Sequence, residues 1–318
     1  MAVDRVLEAS VIGSWSRIGC SVRRVLFHWD DQPALSLRHQ VVVITGGTSG
    51  IGMAAARACV RADARVVIVG RDLARAEAAA GAIAKEGEED SVIVETADIG
   101  HIGEVEDLAE RLTRRFEALH VLVHGAGLLS RTPQRSPDGT ELTAAVHLVG
   151  PHLLTTRLSQ LLQDGAPATV VWVSSGGMYT QQLDVSRLEA LPPRHYRGSA
   201  TYARAKRAQV VLARLWAEHL ARRGVSSFVM HPGWVDTPAL RQGIPTFATL
   251  MGPLLRSPEQ GADTAVWLAA CRGSVGLDPG IWLDRRLRPA YRWPITTEVP
   301  GEAERLWDWC QAKAGLAS

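Results

Sequence analysis

Four β-branched residues, Val41-Val42-Val43-Ile44, run directly into Thr45-Gly46-Gly47-Thr48-Ser49-Gly50-Ile51-Gly52 and then into the helix formers Met53-Ala54-Ala55-Ala56. Apolar residues without polar alternation predict a strand covered on both faces, as in parallel sheets. The glycines end that strand, and a helix starts at once. Strand, glycine turn and helix in this order make a cradle for phosphate. Gly46 permits the tight turn, Gly50 lets the backbone approach a pyrophosphate, and Gly52 lets the helix pack on the strand. The helix start adds free N–H groups and the positive end of its dipole. The spacing Gly-x-x-x-Gly-x-Gly is one residue longer than the common dinucleotide fingerprint. It also suits a plain strand–turn–helix junction, so the rest of the chain has to decide.

The chain has 318 residues, 46% of them hydrophobic, enough for a large core without disulfides. A net charge of +2 argues against nucleic acid as a partner. Cys20, Cys59, Cys271 and Cys310 are scattered without metal-ligand spacing. No metal site is expected, and a reducing, cytoplasmic setting fits. No apolar run reaches membrane-spanning length, and the N-terminus lacks the pattern of a secretory signal.

Residues 1–40 precede the first strand as an extension to one domain spanning 41–318. Val11, Trp15, Ile18, Val22 and Leu26 recur at helical steps and predict one amphipathic helix, with Arg17, Arg23 and Arg24 close by. Gly13 and Gly19 each weaken it by about 1 kcal/mol relative to Ala. Two uses stay open: peripheral contact with a membrane or partner, or packing on the chain's own surface.

Beyond the glycine turn, strands and helices alternate, which predicts a doubly wound α/β fold with a parallel sheet. A second strand, 64–70, ends at Arg71, beside the expected position of an adenosine ribose. A guanidinium there can clamp a 2′-phosphate, favouring NADP(H) over NAD(H), although Asp72 follows at once. Asp98, ending the third strand, can accept from an adenine amino group or cap the next helix. The fourth strand leads into His124-Gly125-Ala126-Gly127, where small residues allow close passage of a cofactor. A long helix over 142–162 should kink at Pro151. The fifth strand ends at Ser174-Ser175. Tyr202 and Lys206 are one helical turn apart and share a face. A neighbouring ammonium lowers a phenol's pKa and suits it to proton transfer during hydride chemistry.

Taken in order, Thr45-Gly46-x-x-x-Gly50-Ile51-Gly52, Asp98-Ile99, Gly125-Ala126-Gly127, Val173-Ser174-Ser175, Tyr202-x-x-x-Lys206 and Pro232-Gly233 with Thr237 resemble the short-chain dehydrogenase/reductase superfamily over residues 40–285. Ser-Ser-Gly-Gly-Met at 174–178, the gap of about 27 residues from Ser175 to Tyr202 and Gln260-Gly261-Ala262-Asp263-Thr264 are similar to its retinol-dehydrogenase-like orphan branch. The resemblance implies a seven-stranded Rossmann sheet in the order 3-2-1-4-5-6-7. It implies Tyr202 as general acid/base, Lys206 on the nicotinamide ribose, and Ser175 orienting substrate. The cofactor would also touch Thr48, Ser49, Ile99, Val235 and Thr237. Where the family has an asparagine that holds a water linked to the lysine, this chain has His147, whose imidazole is a candidate substitute in the proton relay. A damaged relay would leave a non-catalytic NADP(H)-binding sensor or scaffold instead.

The segment 238–257 carries few charges and predicts an apolar lid. Met178, Tyr179, Trp234, Leu250 and Met251 are candidate apolar contacts, so a lipophilic carbonyl or alcohol is expected, retinoid-, steroid- or lipid-like. Arg285, Arg286, Arg288 and Arg292 follow the last strand and suit contact with anionic lipid headgroups or, as the simpler reading, a solvated basic loop. A terminal helix over 302–313, with Leu306, Trp307 and Trp309, is a candidate sheet cover or homo-oligomer surface.

Overall fold

The apolar runs become β1 (Val41–Thr45), β2 (Arg65–Gly70), β3 (Val92–Thr96), β4 (Val121–His124), β5 (Ala168–Val173), β6 (Val225–Met230) and β7 (Ile281–Leu283). The computed structural model describes residues 2–32, 34–88, 90–189, 193–271 and 280–316. Among them the sheet order is β3-β2-β1-β4-β5-β6-β7, all parallel, followed by an antiparallel edge strand β8 (Arg286–Arg288). The seven parallel strands stand in the expected order, and the eighth adds an antiparallel edge to them. Asp284 and Arg285 both take positive φ, 54° and 55°, and with Leu283 paired to Arg286 they form a two-residue hairpin turn. This turn lacks the usual Asn-Gly signature, so the sequence does not announce it.

The helices are α1 (Ala2–Ala9), α2 (Val11–Trp15), α3 (Arg17–Leu26), α4 (Gly50–Arg61), α5 (Leu73–Ala84), α6 (Ile102–Arg115), α7 (Leu142–Ala144), α8 (Gly150–Arg157), α9 (Ser159–Asp164), α10 (Gly198–Leu220), α11 (Pro238–Gly243), α12 (Pro245–Met251), α13 (Pro258–Ala270) and α14 (Glu302–Lys313). Side chains alternate across the strands. Val42 and Ile44 pack with α4, α5 and α13, while Val43 packs with α6, α8 and α10 on the other face. Leu306 and Cys310 bury α14 against the second core.

Two helices differ from expectation. The stripe Val11–Leu26 is split between α2 and α3, with Ser16 extended between them. Gly19 permits the split: a Cβ there would lie 2.0 Å from the Gly13 carbonyl oxygen. Trp15 turns inward and is buried, while Ile18 and Val22 face outward with Val3, Val6, Ile12 and Val25. The long helix after β4 is irregular before Pro151 rather than at it. Residues Ala145–Val149 form a wide π turn. Pro151 has no N–H, so it cannot donate to the His147 carbonyl four residues earlier.

Candidate active site

A cavity of about 920 Å³ runs along the carboxyl ends of the strands, near the top of the usual range for small-molecule sites. One end is the glycine turn. Gly46 has φ 71° and Gly50 φ 51°, conformations that side chains disfavour. A Cβ on Gly46 would meet the Ala126 backbone at 2.8 Å, so the turn nests against the small residues after β4. Thr48, Ser49, Ile51 and Gly52 complete this wall with Gly125, Ala126 and Gly127. Thr45 does not line the cavity. It is fully buried, and its hydroxyl accepts from the N–H groups of Gly125 and Ala126, both at 3.2 Å. Its work is to tie the end of β1 to the end of β4.

After β2, Arg71 is exposed with its guanidinium 3.8 Å from Asp98. Asp98 accepts from the Gly100 N–H at 2.8 Å, so it shapes its own turn while lining the cavity with Ile99. Asp72 caps α5 by accepting from the Arg75 N–H at 2.8 Å. Arg75, not singled out in the sequence, also lines the cavity. Its four-residue spacing from Arg71 was the available signal. The cradle fits the pyrophosphate of a dinucleotide.

Ser175, Tyr202 and Lys206 also line the cavity, together with Pro232, Gly233, Val235 and Thr237, the last lying against the glycine turn, where a Cβ on Gly50 would meet its Cγ2 at 3.2 Å. Burial pushes the Tyr202 hydroxyl up to about 12, against a hydrogen bond with the Ser175 side chain that lowers it. Burial also brings Lys206 down to about 7. The lysine Nζ donates to the Val173 carbonyl at 2.7 Å and to Gln209 Oε1 at 3.0 Å, and it sits 5.6 Å from the Tyr202 ring centre. Burial therefore sets the Tyr202 pKa here, and the opposing effect comes from Ser175 rather than from Lys206 as expected.

The His147 imidazole does not reach the cavity. Its Nε2 lies 3.1 Å from the Leu128 nitrogen and 3.0 Å from the Leu128 oxygen, and the ring is fully buried edge-on to Tyr202. Burial, then the nearby Lys206, hold it well below the usual histidine range and keep it neutral. The imidazole thus anchors the loop after β4, which corrects the expectation of a ring acting as shuttle. Its carbonyl, to which Pro151 cannot donate, accepts from Gln209 Nε2 at 3.4 Å. A lysine only donates and a carbonyl only accepts, which orients the Gln209 amide. Sequence reasoning missed Gln209, although its place three residues after Lys206 puts it on the same helix face.

The apolar contacts also need correction. Met178 and Tyr179 are buried outside the cavity lining, and the Tyr179 hydroxyl donates to the Pro289 carbonyl at 2.7 Å. The short helical turn after Ser175 points both into the core. Leu250 is 77% exposed, and neither it nor Met251 lines the cavity. Leu240, Ile244 and Phe247 take that part, since α11 and α12 turn those positions inward. Trp234 lines it as expected, and Trp15 joins it from the N-terminal helices.

Residues 46–274 match the family model described as Enoyl-(Acyl carrier protein) reductase. Dehydrogenase/reductase SDR family member 12 of Homo sapiens is 35% identical over 269 residues, 84% of this chain and 84% of that protein. Retinol dehydrogenase 12 of Bos taurus is 31% identical over 274 residues, 85% of this chain and 84% of that protein. A solved structure titled as a putative NAD(P) dependent gluconate 5-dehydrogenase from Beutenbergia cavernae, with bound NADP at low occupancy, is 27% identical with a TM-score of 0.61. It covers 76% of this chain and 94% of that chain.

Proposed function

Because the chain belongs to the short-chain dehydrogenase/reductase family, we propose that it is an oxidoreductase that interconverts a carbonyl and an alcohol on a lipophilic small molecule with NADP(H) as cofactor. The observation that carries this reading is the convergence of Ser175, Tyr202 and Lys206 on the cavity that ends at the glycine turn. The glycine turn, with Thr48 and Ser49, would hold the pyrophosphate, and Arg71 and Arg75 the 2′-phosphate. Asp72, committed to capping α5, does not compete for that phosphate. A bound nicotinamide supplies or takes up the hydride. Tyr202 exchanges the proton with the substrate oxygen, and Ser175 donates to the same oxygen and orients it. Lys206 has three donors when charged, and two are used by Val173 and Gln209. The third is left for a ribose hydroxyl, and its charge favours the phenolate form of Tyr202.

Leu240, Ile244, Phe247 and Trp234 make the wall beyond these hydroxyls apolar, which supports a lipophilic substrate. Retinol dehydrogenase 12, among the relatives, points to the same class. The test is Tyr202→Phe with a panel of lipophilic ketones, aldehydes and alcohols. Turnover should fall by about 10²–10⁴-fold, while NADPH affinity, followed by its fluorescence, stays within about twofold. Full activity in the variant would remove Tyr202 from the reaction. NADPH binding with no turnover of any compound by the unaltered protein would favour the sensor reading.

A further inference from the structure

We propose that the N-terminal helices are a built-in wall of the substrate end of the cavity, and that Trp15 determines which substituents beside the carbonyl fit. This rests on the reading of Ser175 and Tyr202 as the reacting end. The residue next to Ser175 carries the contact: a Cβ on Gly176 would come within 2.6 Å of the Trp15 six-membered ring, so the indole lies against the Gly176 backbone. Behind it the indole stacks on Tyr179, with centres 5.7 Å apart and planes at 19°. Its sides meet His231 at 5.1 Å and Trp234 at 6.0 Å, both edge-on. Phe247 continues the aromatic wall, 5.2 Å from Trp234.

The backbone that presents Trp15 is fixed as firmly as the ring. Its carbonyl accepts from the Trp234 N–H at 2.8 Å and from Arg256 Nε at 3.0 Å. The Ser14 carbonyl accepts from Arg23 Nη1 at 3.0 Å and Arg256 Nη2 at 2.9 Å. The Asp284 carboxylate joins the two guanidinium groups, at 2.7 Å from Arg23 and 2.6 Å from Arg256. All three side chains are at most 1% exposed. Around this triad, Arg288 pairs with Asp4, and Arg292 bonds Glu8 while lying over the Trp15 ring. Arg285 and Arg286 lie over Trp29 and Phe27. The basic segment after β7 is thus the counterpart of the N-terminal helices. Both lie outside residues 46–274, the span of the family match. A tether would not be clamped in this way; a rigid, apolar surface beside the reacting residues selects by shape.

The experiment compares Trp15→Ala and Trp15→Phe with the unaltered chain on ketones graded from one ring to several fused rings. It uses kcat/KM and, separately, calorimetric binding of the same ketones to NADP+-loaded protein. Trp15→Ala should shift the ratio of large to small ketones by about tenfold or more, with Trp15→Phe between. NADPH affinity should stay within about twofold, which also reports that each variant is folded. If Trp15→Ala does not fold, the shift in Trp15→Phe alone decides. An unchanged ratio in the folded variants, in binding as well as in turnover, overturns the proposal. A shift seen in binding without turnover by the unaltered chain keeps the wall and overturns the oxidoreductase reading instead.

Discussion

The two ends of the cavity are held by contacts of very different reach along the chain. At the glycine end, Gly46, Gly50 and Gly52 act within a few residues of one another, and Thr45 reaches only to the neighbouring strand. At the far end, Trp15 depends on Arg256, 241 residues away, and Arg23 on Asp284, 261 residues away. The first wall follows from backbone geometry that glycine allows cheaply. The second needs three charges removed from water, a cost their mutual attraction must offset. Such a cluster is a poor source of stability but a good source of a single fixed geometry. That suits a surface that must tell substrates apart, whereas the glycine turn needs only to accept a phosphate.

The contrast can be broken most strongly at Asp284. Asp284→Ala leaves two buried guanidinium groups uncompensated and should cost about 3–5 kcal/mol by urea denaturation at pH 7. Burial raises the Asp284 pKa, but Arg256 and Arg23 outweigh it and hold the carboxyl below its usual value. Its stabilising contribution is therefore present above the unfolded pKa of about 3.9 and lost as pH falls through the lower folded value. The gap between the unaltered chain and the variant should narrow below about pH 4. A gap that stays constant down to pH 3 would show that Asp284 does not carry the clamp.

A smaller loss is expected at the adenosine end. Both arginines are exposed, so removing them should leave the fold intact. Arg71→Ala with Arg75→Ala should weaken NADPH binding by about 2 kcal/mol and leave NADH binding nearly unchanged, by fluorescence titration. Equal losses for both cofactors would reject the 2′-phosphate role.

The smallest effect concerns Gln209. Removing an acceptor from a buried ammonium favours the neutral amine, and Lys206 already stands near 7. Gln209→Leu should move the alkaline limb of the kcat–pH profile to lower pH, with about a tenfold loss at pH 7. Gln209→Glu should move it the other way. Unmoved profiles in both variants would reduce Gln209 to packing.

The parts of the site that could be read from residues alone are those marked by a short pattern within a few residues. The glycine turn, Arg71 at the end of β2 and the Tyr202–Lys206 turn belong to this group. The errors share the opposite property. Met178, Tyr179 and Leu250 look like substrate contacts by composition, but side-chain direction at each depends on how short helices sit on the sheet. His147 has the chemistry of a shuttle, yet its ring turns to Leu128, a contact set by how the loop after β4 packs against this helix. Arg285 to Arg292 read as a solvated basic loop, because nothing local shows that Asp4, Glu8, Trp29 and Phe27 will meet them.

By itself, the amino-acid order determined the alternation of strands and helices, the phosphate-sized turn and the spacing of serine, tyrosine and lysine. Each is a matter of period or distance over a short stretch, and local sterics reads it directly. Folding in three dimensions determined the eighth strand, the Gln209 link and the placing of Trp15 beside Ser175. These depend on which distant charges and rings come together when the core closes, and burial, rather than any short pattern, selects that pairing.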